Sequence, residues 1–283
     1  MTITPGTEPF AYRAPQGALD DLQQRLARTR WPERETGEGW DQGVSLSALQ
    51  RLVEYWRDGY DWRRCEAELG CWPQFKTRID GLGIHFIHVR SGHEGALPII
   101  LTHGWPSTFL LFRDIIGPLT DPTAHGGTAA DAFDVVIPSL PGFAFSDKPS
   151  ERGWNVERTA RAWAALMQGL GYRRYVAQGG DWGAFVTTAM AQQHAPGLAA
   201  IHLNFAQTIP DEIPAELLPD QKRAVEAMQA FLAQGAAYSQ IQATRPQTLG
   251  YALADSPVGQ AAWIYDLFNR EVSELSPRLP KRG

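Results

Sequence analysis

From about residue 98 onward, the chain alternates between short apolar runs and longer segments of helical pattern. The four apolar runs are Pro98–Leu101, Phe133–Ile137, Tyr175–Ala177 and Ala199–Leu203. Runs of this kind are typical of strands that are buried on both faces of a parallel sheet. The helical segments between them lie at about 107–117, 155–170 and 183–193. This order predicts an α/β fold with a mostly parallel sheet.

The chain before residue 98 has a different pattern. Apolar residues with helical spacing over 19–26, and again over 46–56, predict an N-terminal helical extension. Segments 75–79 and 84–89 are short, contain β-branched and aromatic residues, and are joined by Asp80-Gly81. These features indicate a β-hairpin in front of the α/β body.

These patterns divide the sequence into four parts. The N-terminal region, over residues 1–113, contains the helical extension and the first strands, and it overlaps with an α/β core over 75–205. Strand-like runs stop at about residue 206 and helical segments follow, so residues 206–270 are expected to form a partial helical lid. Residues 271–283 have no apolar periodicity and are expected to form a loose tail.

Composition and charge argue against several classes of function. The chain has 26 Lys and Arg residues and 31 Asp and Glu residues, so its net charge is −5. Because it is mildly acidic and has no basic cluster, we expect neither a nucleic acid nor an anionic membrane as a partner. Neither a secretory leader nor a membrane span is predicted. Two cysteines, Cys65 and Cys71, are too few for a disulfide framework or a metal site. We expect them to be reduced thiols, which favours the cytoplasm. No nucleotide or metal motif is visible, and we expect no cofactor.

The strongest local signal is Gly179-Gly180-Asp181-Trp182-Gly183, which lies between an apolar run and a helical segment. Its frame, G-x-D-x-G, resembles the nucleophile elbow G-x-S-x-G with Asp in place of Ser. A sharp strand-to-helix turn requires small neighbours, and the helix dipole favours a carboxylate at this position. Asp181 is therefore a candidate nucleophile that forms an ester with an electrophilic carbon. The alternative is a tight turn in which Asp181 only caps the helix.

A second motif, His103-Gly104-Trp105-Pro106, directly follows the first apolar run. In α/β-hydrolases, a backbone N–H from this loop and the N–H of the residue after the nucleophile form the oxyanion hole. Here the donors would be the backbone N–H groups of Trp105 and Trp182. Phe143 and Phe145 suggest an apolar, aromatic-lined substrate pocket, although aromatic residues near the end of a sheet are often part of the core.

The motifs and their order resemble the epoxide hydrolases of the microsomal type, in particular their bacterial relatives. The resemblance runs from about Tyr12 to Phe268 and includes the N-terminal extension that is specific to that family. The motifs that carry it are Arg30-Trp31-Pro32, Asp61-Trp62-Arg63, Pro73-Gln74-Phe75, His103-Gly104-Trp105-Pro106, Pro141-Gly142-Phe143, Gly180-Asp181-Trp182-Gly183, residues 238–246 and residues 255–259. The resemblance implies an α/β-hydrolase fold with an N-terminal helical extension and a partial lid.

The resemblance also implies a two-step reaction on a small apolar epoxide and water. Asp181 opens the epoxide to an ester, and two lid tyrosines donate hydrogen bonds to the departing oxygen. By its position in its motif, Tyr238 resembles the first of them, and Tyr251 and Tyr265 are weaker candidates. The alternative for Tyr238 is a tyrosine that only packs within the lid. A late histidine, held by a carboxylate, would then activate water. The family implies roles in detoxification and in the catabolism of aromatic hydrocarbons.

The sequence departs from the family pattern in its last part. The order in this fold is nucleophile, acid, then histidine, but His202 is the last of the seven histidines and lies in an apolar run. We therefore expect a truncated or frame-shifted sequence that lacks the last strands. An exposed sheet edge, with low solubility or a homo-oligomer, would follow from the missing strands, and an ester that persists would follow from the missing base. A haloalkane dehalogenase, which also uses an elbow aspartate, and a non-catalytic remnant are the alternatives.

Overall fold

A computed structural model of the chain describes residues 6–206 and 216–275, with the backbone alone at residue 234 and over 269–275. The chain divides into two compact units. The first unit comprises residues 1–13 and 63–208, and the second comprises residues 14–62 and 209–283. The two predicted helical parts, the extension and the lid, contribute most of the second unit.

The first unit is built on a sheet of seven strands within the described residues. The strands are β1 (Glu8–Pro9), β2 (Gln74–Ile79), β3 (Leu82–Val89), β4 (Leu97–Thr102), β5 (Phe133–Pro138), β6 (Tyr175–Gly179) and β7 (Leu198–Leu203). Their order is β1-β2-β3-β5-β4-β6-β7. The run from β5 to β7 is parallel and the side from β1 to β3 is antiparallel. The predicted α/β body and its hairpin are therefore confirmed.

The helices of the described residues are α1 (Gln16–Ala27), α2 (Leu46–Asp58), α3 (Trp62–Leu69), α4 (Arg113–Thr120), α5 (Val156–Gly169), α6 (Trp182–Gln192), α7 (Pro219–Ala230), α8 (Ala237–Thr244), α9 (Pro246–Asp255) and α10 (Pro257–Leu275). Helices α4, α5 and α6 lie close to predicted segments, whereas α3, α8 and α9 were not predicted individually. Helix α5 begins where the side chain of Asn155 accepts a hydrogen bond from the Arg158 N–H, and α2 begins at Ser45 in the same way. A short 3₁₀ turn, Phe109–Phe112, precedes α4.

Two core clusters cover the two faces of the sheet. Helices α5 and α6 contribute Trp163, Met167 and Met190 to the cluster that packs against Ile100 of β4 and its neighbours. On the opposite face, the 3₁₀ turn and α4 pack against β3, β4 and β5 through the residues Phe109, Phe112, Ile116, Ile87, Leu101, Val135 and Ile137. Because neighbouring residues of β4 point into different clusters, both faces of this strand are buried. This packing fixes the carboxyl ends of β4 and β6.

The second unit has its own small core, which joins the N-terminal helices to the lid. Leu26 of α1, Leu49 and Val53 of α2, and Val258 of α10 are buried together. The guanidinium of Arg25 donates hydrogen bonds to the carbonyls of Ala254 and Asp255, which end α9. Arginine at the carboxyl end of a helix satisfies exposed carbonyls and complements the helix dipole. The N-terminal extension therefore shares a core with part of the predicted lid.

Helix α10 is longer than the sequence pattern predicts. It continues through Leu275, so residues 271–275 are helical although they belong to the predicted loose tail. Residues 269–275 contain neither Gly nor Pro and include the helix formers Arg, Glu and Leu, so nothing in them ends the helix. The rest of the predicted tail, 276–283, and the beginning of the predicted lid, 207–215, lie outside the described residues.

Three further properties of the described residues bear on function. None of their helices is both long and apolar enough to cross a membrane. In the same residues, no three His, Cys, Asp or Glu side chains are grouped so that they could bind a metal ion. Both cysteines are free thiols.

We predict that Trp163→Ala destabilises the first unit strongly. Trp163 is fully buried, and its indole N–H donates to the hydroxyl of Thr102 at the end of β4 over 3.1 Å. Loss of a buried tryptophan costs about 3–5 kcal/mol of unfolding free energy. Chemical denaturation measures the difference, and Leu111→Ala, at a side chain that is 59% exposed, is the control that changes it by less than about 0.5 kcal/mol. Equal effects of the two substitutions would contradict the assigned packing.

Candidate active site

The predicted elbow lies where β6 ends and α6 begins. Asp181 has φ +52° and ψ −127°, a conformation that is costly for a residue with a side chain. A Cβ at Gly179 would overlap the carbonyl of Gly183, and a Cβ at Gly183 would overlap the carbonyl of Thr102. The ends of β4 and β6 and the first turn of α6 are therefore too close for side chains on either glycine. This close packing holds Asp181 in its strained conformation.

The carboxylate of Asp181 is held by the loop that follows β4. The backbone N–H of Trp105 donates a hydrogen bond to Oδ1 of Asp181 over 2.9 Å. Gly104 leaves room for this contact, because a Cβ there would overlap the carboxylate. The Asp181 side chain makes no capping hydrogen bond to α6. The carboxylate is thus turned toward the loop that follows β4 and away from the end of its own helix.

Trp182, the second predicted donor, is the first residue of α6. Its side chain is 51% exposed and lies beside Phe185, with 5.6 Å between the ring centroids. Phe185 in turn meets Phe205, which follows β7. A backbone N–H in the first turn of a helix has no partner within the helix and is suited to bind an anion. The role of Trp182 as an oxyanion donor stays a prediction.

His103 connects the loop that follows β4 to the loop that follows β5. Its Nδ1 lies 3.0 Å from the carbonyl of Gly104, and its Nε2 lies 3.2 Å from the backbone N of Leu140. Because a carbonyl accepts and a backbone N–H donates, the ring is neutral with its proton on Nδ1. Burial lowers the pKa of His103 to about 4, against the hydrogen bond to Gly104, which raises it. The ring of Phe143 packs edge-on against His103, with centroids 5.5 Å apart.

His85 of β3 forms a second buried connection. Its Nδ1 lies 2.8 Å from the hydroxyl of Ser139, and its Nε2 lies 2.9 Å from the side-chain carbonyl of Gln74. Burial, and secondly the charge of Lys76, lower the pKa of His85 to about 3. Phe145 packs against the His85 ring at 5.1 Å between centroids. This is a packing contact, and the predicted substrate-binding roles of Phe143 and Phe145 stay predictions.

The candidate tyrosines all belong to the second unit. Tyr238 lies in α8 and is half-buried, and its role as hydrogen-bond donor to the epoxide oxygen stays a prediction. Tyr251 of α9 is 70% exposed. Tyr265 of α10 packs edge-on against Trp40 and belongs to the core of this unit.

Comparison with known proteins agrees with the fold of the chain. The family description "Epoxide hydrolase N terminus" matches residues 7–112, and "alpha/beta hydrolase fold" matches residues 98–266. The structure of Aspergillus niger epoxide hydrolase superposes with a TM-score of 0.83 at 33% identity, covering 93% of this chain and 70% of that one. The chain belongs to the epoxide hydrolase family. The resemblance seen in the sequence motifs is therefore confirmed.

Curated members of the epoxide hydrolase family match over most of this chain. "Putative epoxide hydrolase" from Stigmatella aurantiaca is 61% identical over 264 residues, which are 93% of this chain and 60% of that protein. "Epoxide hydrolase 1" from Oryctolagus cuniculus is 36% identical, covering 92% of this chain and 62% of that protein. The chain thus spans about three fifths of the length of the curated relatives that it matches.

Sequence reasoning missed the roles of two histidines in this epoxide hydrolase relative. It assigned His103 to the predicted oxyanion loop and His85 to the predicted hairpin, but it named no hydrogen-bond partner for either residue. A signal was present, because His85 lies between Ile84 and Phe86 in β3 and His103 directly follows Leu101 and Thr102 of β4, all of which are buried. A polar side chain in such a place needs hydrogen-bond partners. The identity of those partners depends on loops that are distant in sequence.

We predict that Asp181→Gly is more stable than Asp181→Ala by about 1 kcal/mol, because glycine adopts positive φ without the steric cost of a Cβ. Both substitutions remove the carboxylate and its hydrogen bond from Trp105, so their difference isolates the backbone conformation. Urea denaturation of the two variants measures it. An alanine variant as stable as the glycine variant would show that the elbow is not strained.

We predict that the first unit loses stability as the pH falls below about 6.5. In the unfolded chain His85 and His103 bind protons near their ordinary pKa of 6.5, whereas in the folded chain they do so only near 3 and 4. The stabilisation is complete above pH 6.5 and decreases between pH 6.5 and 4, by about 1.4 kcal/mol per pH unit for each histidine.

Urea denaturation at a series of pH values between 7.5 and 5 measures this slope. His103→Gln is expected to remove the share of His103 and to leave that of His85. Identical slopes in the unsubstituted chain and in the His103→Gln variant would contradict the assignment of a neutral, buried His103.

Proposed function

We propose that the chain opens small apolar epoxides by nucleophilic attack of Asp181. The observation that carries the proposal is the hydrogen bond from the Trp105 N–H to Oδ1 at 2.9 Å. It holds one carboxylate oxygen and leaves Oδ2 as the oxygen that attacks. The strained elbow contributes by fixing the direction of the side chain, since a reacting atom held in place lowers the entropic part of the barrier.

Ring opening forms a bond from Oδ2 to an epoxide carbon and breaks the bond from that carbon to the epoxide oxygen. The oxygen leaves as an alkoxide of high pKa and needs a proton donor. Tyr238 is proposed for this role, because a phenol is a suitable acid for such a leaving group. Phe143 and Phe145 are proposed to line the apolar part of the pocket. The product of this step is an ester between Asp181 and the opened substrate.

Hydrolysis of the ester requires a water that attacks its carbonyl carbon. The charge then develops on Oδ1, where the N–H groups of Trp105 and Trp182 are proposed to stabilise it. Activation of this water needs a base, and four histidines of the chain are already hydrogen-bonded to other residues. The pairs are His85 with Ser139 and Gln74, His88 with Tyr172, His93 with Asp121, and His103 with Gly104 and Leu140. With these residues engaged, we propose that the ester persists.

The biological setting is proposed from the family and the composition. Apolar epoxides are reactive products of oxidised hydrocarbons, and their opening fits detoxification or the catabolism of aromatic compounds. Free Cys65 and Cys71 fit a reducing compartment, so we propose the cytoplasm of a bacterial cell. Epoxide and water are the proposed small-molecule partners, with self-association of the chain as a further expectation.

We predict that incubation with styrene oxide adds the mass of one epoxide to the peptide that carries Asp181. Mass spectrometry of the digested chain detects the ester, because its hydrolysis is expected to be slow. Asp181→Asn removes the nucleophilic carboxylate and is expected to give no adduct. Tyr238→Phe is expected to slow adduct formation by about 10–100-fold, since it removes the proton donor.

The outcomes separate the competing functions. An adduct on another residue, or no adduct at all, would contradict the proposal and favour a non-catalytic remnant. Halide release from a haloalkane, without reaction of an epoxide, would favour the dehalogenase alternative. Circular dichroism of Asp181→Asn establishes that loss of the adduct reflects lost chemistry, not unfolding.

A further inference from the structure

A cavity of about 630 Å³ is formed by residues of the second unit alone. Its walls are the end of α1, residues 29–32, the start of α2, and the turn that joins α9 to α10. Sites for small molecules commonly have volumes of about 300–1,000 Å³, so this cavity is large enough for one. None of the described residues that line it belongs to the elbow or to the loop that follows β4. The cavity is therefore distinct in its residues from the candidate active site.

Part of the cavity lining is apolar and rigid. Leu49 of α2 and Val258 of α10 are buried there, and Trp31 and Val44 are half-buried beside them. These four side chains also form the core of the second unit, so packing holds them in place. An indole presents a flat apolar surface on which another ring can stack. This part of the lining is suited to an aromatic body.

One arginine of the cavity is fully engaged by the protein. The guanidinium of Arg25 lies 3.5 Å from the carboxylate of Asp21 and donates hydrogen bonds to the carbonyls of Ala254 and Asp255. The charges of Arg25 and Asp21 therefore offset each other. The same contacts connect α1 to the end of α9 and fix two of the walls.

Two further arginines of the cavity are not engaged in this way. Arg28 and Arg30 are exposed, and neither guanidinium forms a hydrogen bond or an ion pair within the part of the chain that the structure describes. The remaining carboxylate of the lining is that of Asp255, which is also exposed and has no ion pair among the same residues. Two unpaired cations against one unpaired anion leave an excess of positive charge. A guanidinium binds a carboxylate through two parallel hydrogen bonds.

We propose that this cavity binds a small aromatic carboxylate. The ring lies against Trp31 and the apolar side chains beside it, and the carboxylate lies between the guanidiniums of Arg28 and Arg30. Both halves of the ligand are needed, because an exposed ion pair alone contributes little binding free energy. Since α1, α2 and α10 all contribute to the walls, an occupied cavity stabilises the second unit by mass action.

Two ligands of the same shape and different charge test this site on the full chain. Isothermal titration calorimetry measures the affinity for 1-naphthoate and for the neutral 1-naphthalenemethanol. We expect naphthoate to bind one-to-one and at least about tenfold more tightly than the alcohol, because its carboxylate adds hydrogen bonds between charged groups. Hydrogen exchange locates the ligand, and we expect naphthoate to slow exchange of amides in residues 28–31 and 258–262.

Substitutions of the charged residues test the assigned contacts. Arg28→Gln and Arg30→Gln are each expected to weaken naphthoate binding at least about fivefold and to leave binding of the alcohol unchanged. Arg34→Gln is the matched control, because Arg34 follows in the same connection, is 82% exposed and does not line the cavity. Asp255→Asn removes the unpaired like charge and is expected to tighten naphthoate binding by about two- to fivefold.

Several results would overturn the proposal. Absence of naphthoate binding, or equal affinity for naphthoate and the alcohol, would show that the cavity is not an anion site. Protection confined to residues 104–106 and 181–185 would place the ligand at the elbow instead. Unchanged affinity in a folded Arg28→Gln or Arg30→Gln variant would exclude the assigned contacts, and should either variant fail to fold, the two ligands still decide on the unsubstituted chain. None of these readouts involves an epoxide, so the result is independent of the proposed function.

Discussion

The close approach of β4 and β6 at their carboxyl ends is the constraint on which the site depends. The carbonyl of Thr102 lies where a side chain of Gly183 would be, and the N–H of Gly180 donates to that carbonyl over 3.4 Å. The turn between β6 and α6 is therefore tight, and Asp181 takes a positive φ. The same proximity brings the Trp105 N–H to the carboxylate. The strain of Asp181 and the position of its carboxylate thus arise from one packing arrangement, and strained residues of this kind are common at functional sites.

Two buried histidines form hydrogen bonds between the strands and loops around this site. His103 connects the carbonyl of Gly104 to the N–H of Leu140, and His85 connects Gln74 to Ser139. The contact of His103 with Leu140 depends on an uncharged ring, because Nε2 accepts from the backbone N–H. Burial favours the neutral form of both histidines by lowering their pKa. The loop that follows β4 is therefore held by a hydrogen bond that His103 makes to Gly104, and the ring in turn accepts from Leu140 only when it is neutral. The position of the loop is thus coupled to the protonation of a residue that does not take part in the proposed reaction.

The sequence predicted the order of strands and helices, the elbow at Asp181 and the loop at Trp105, because each depends on local pattern: apolar runs, glycine spacing and the period of a helix. It did not predict the partners of His103 or the extension of α10 to Leu275. Partners such as Leu140 come from distant loops, and the end of a helix depends on weak local preferences. The role of Tyr238 rests on family resemblance, since no local pattern distinguishes a catalytic tyrosine from a packed one.

The most direct test of the account is a crystal structure of the chain after reaction with styrene oxide. The account predicts continuous electron density from Oδ2 of Asp181 to a carbon of the opened epoxide. It also predicts that Oδ1 remains within hydrogen-bond distance of the Trp105 N–H. Density for the adduct on a different side chain, or an unmodified Asp181 whose carboxylate has turned away from Trp105, would contradict the claim that this elbow presents a nucleophile.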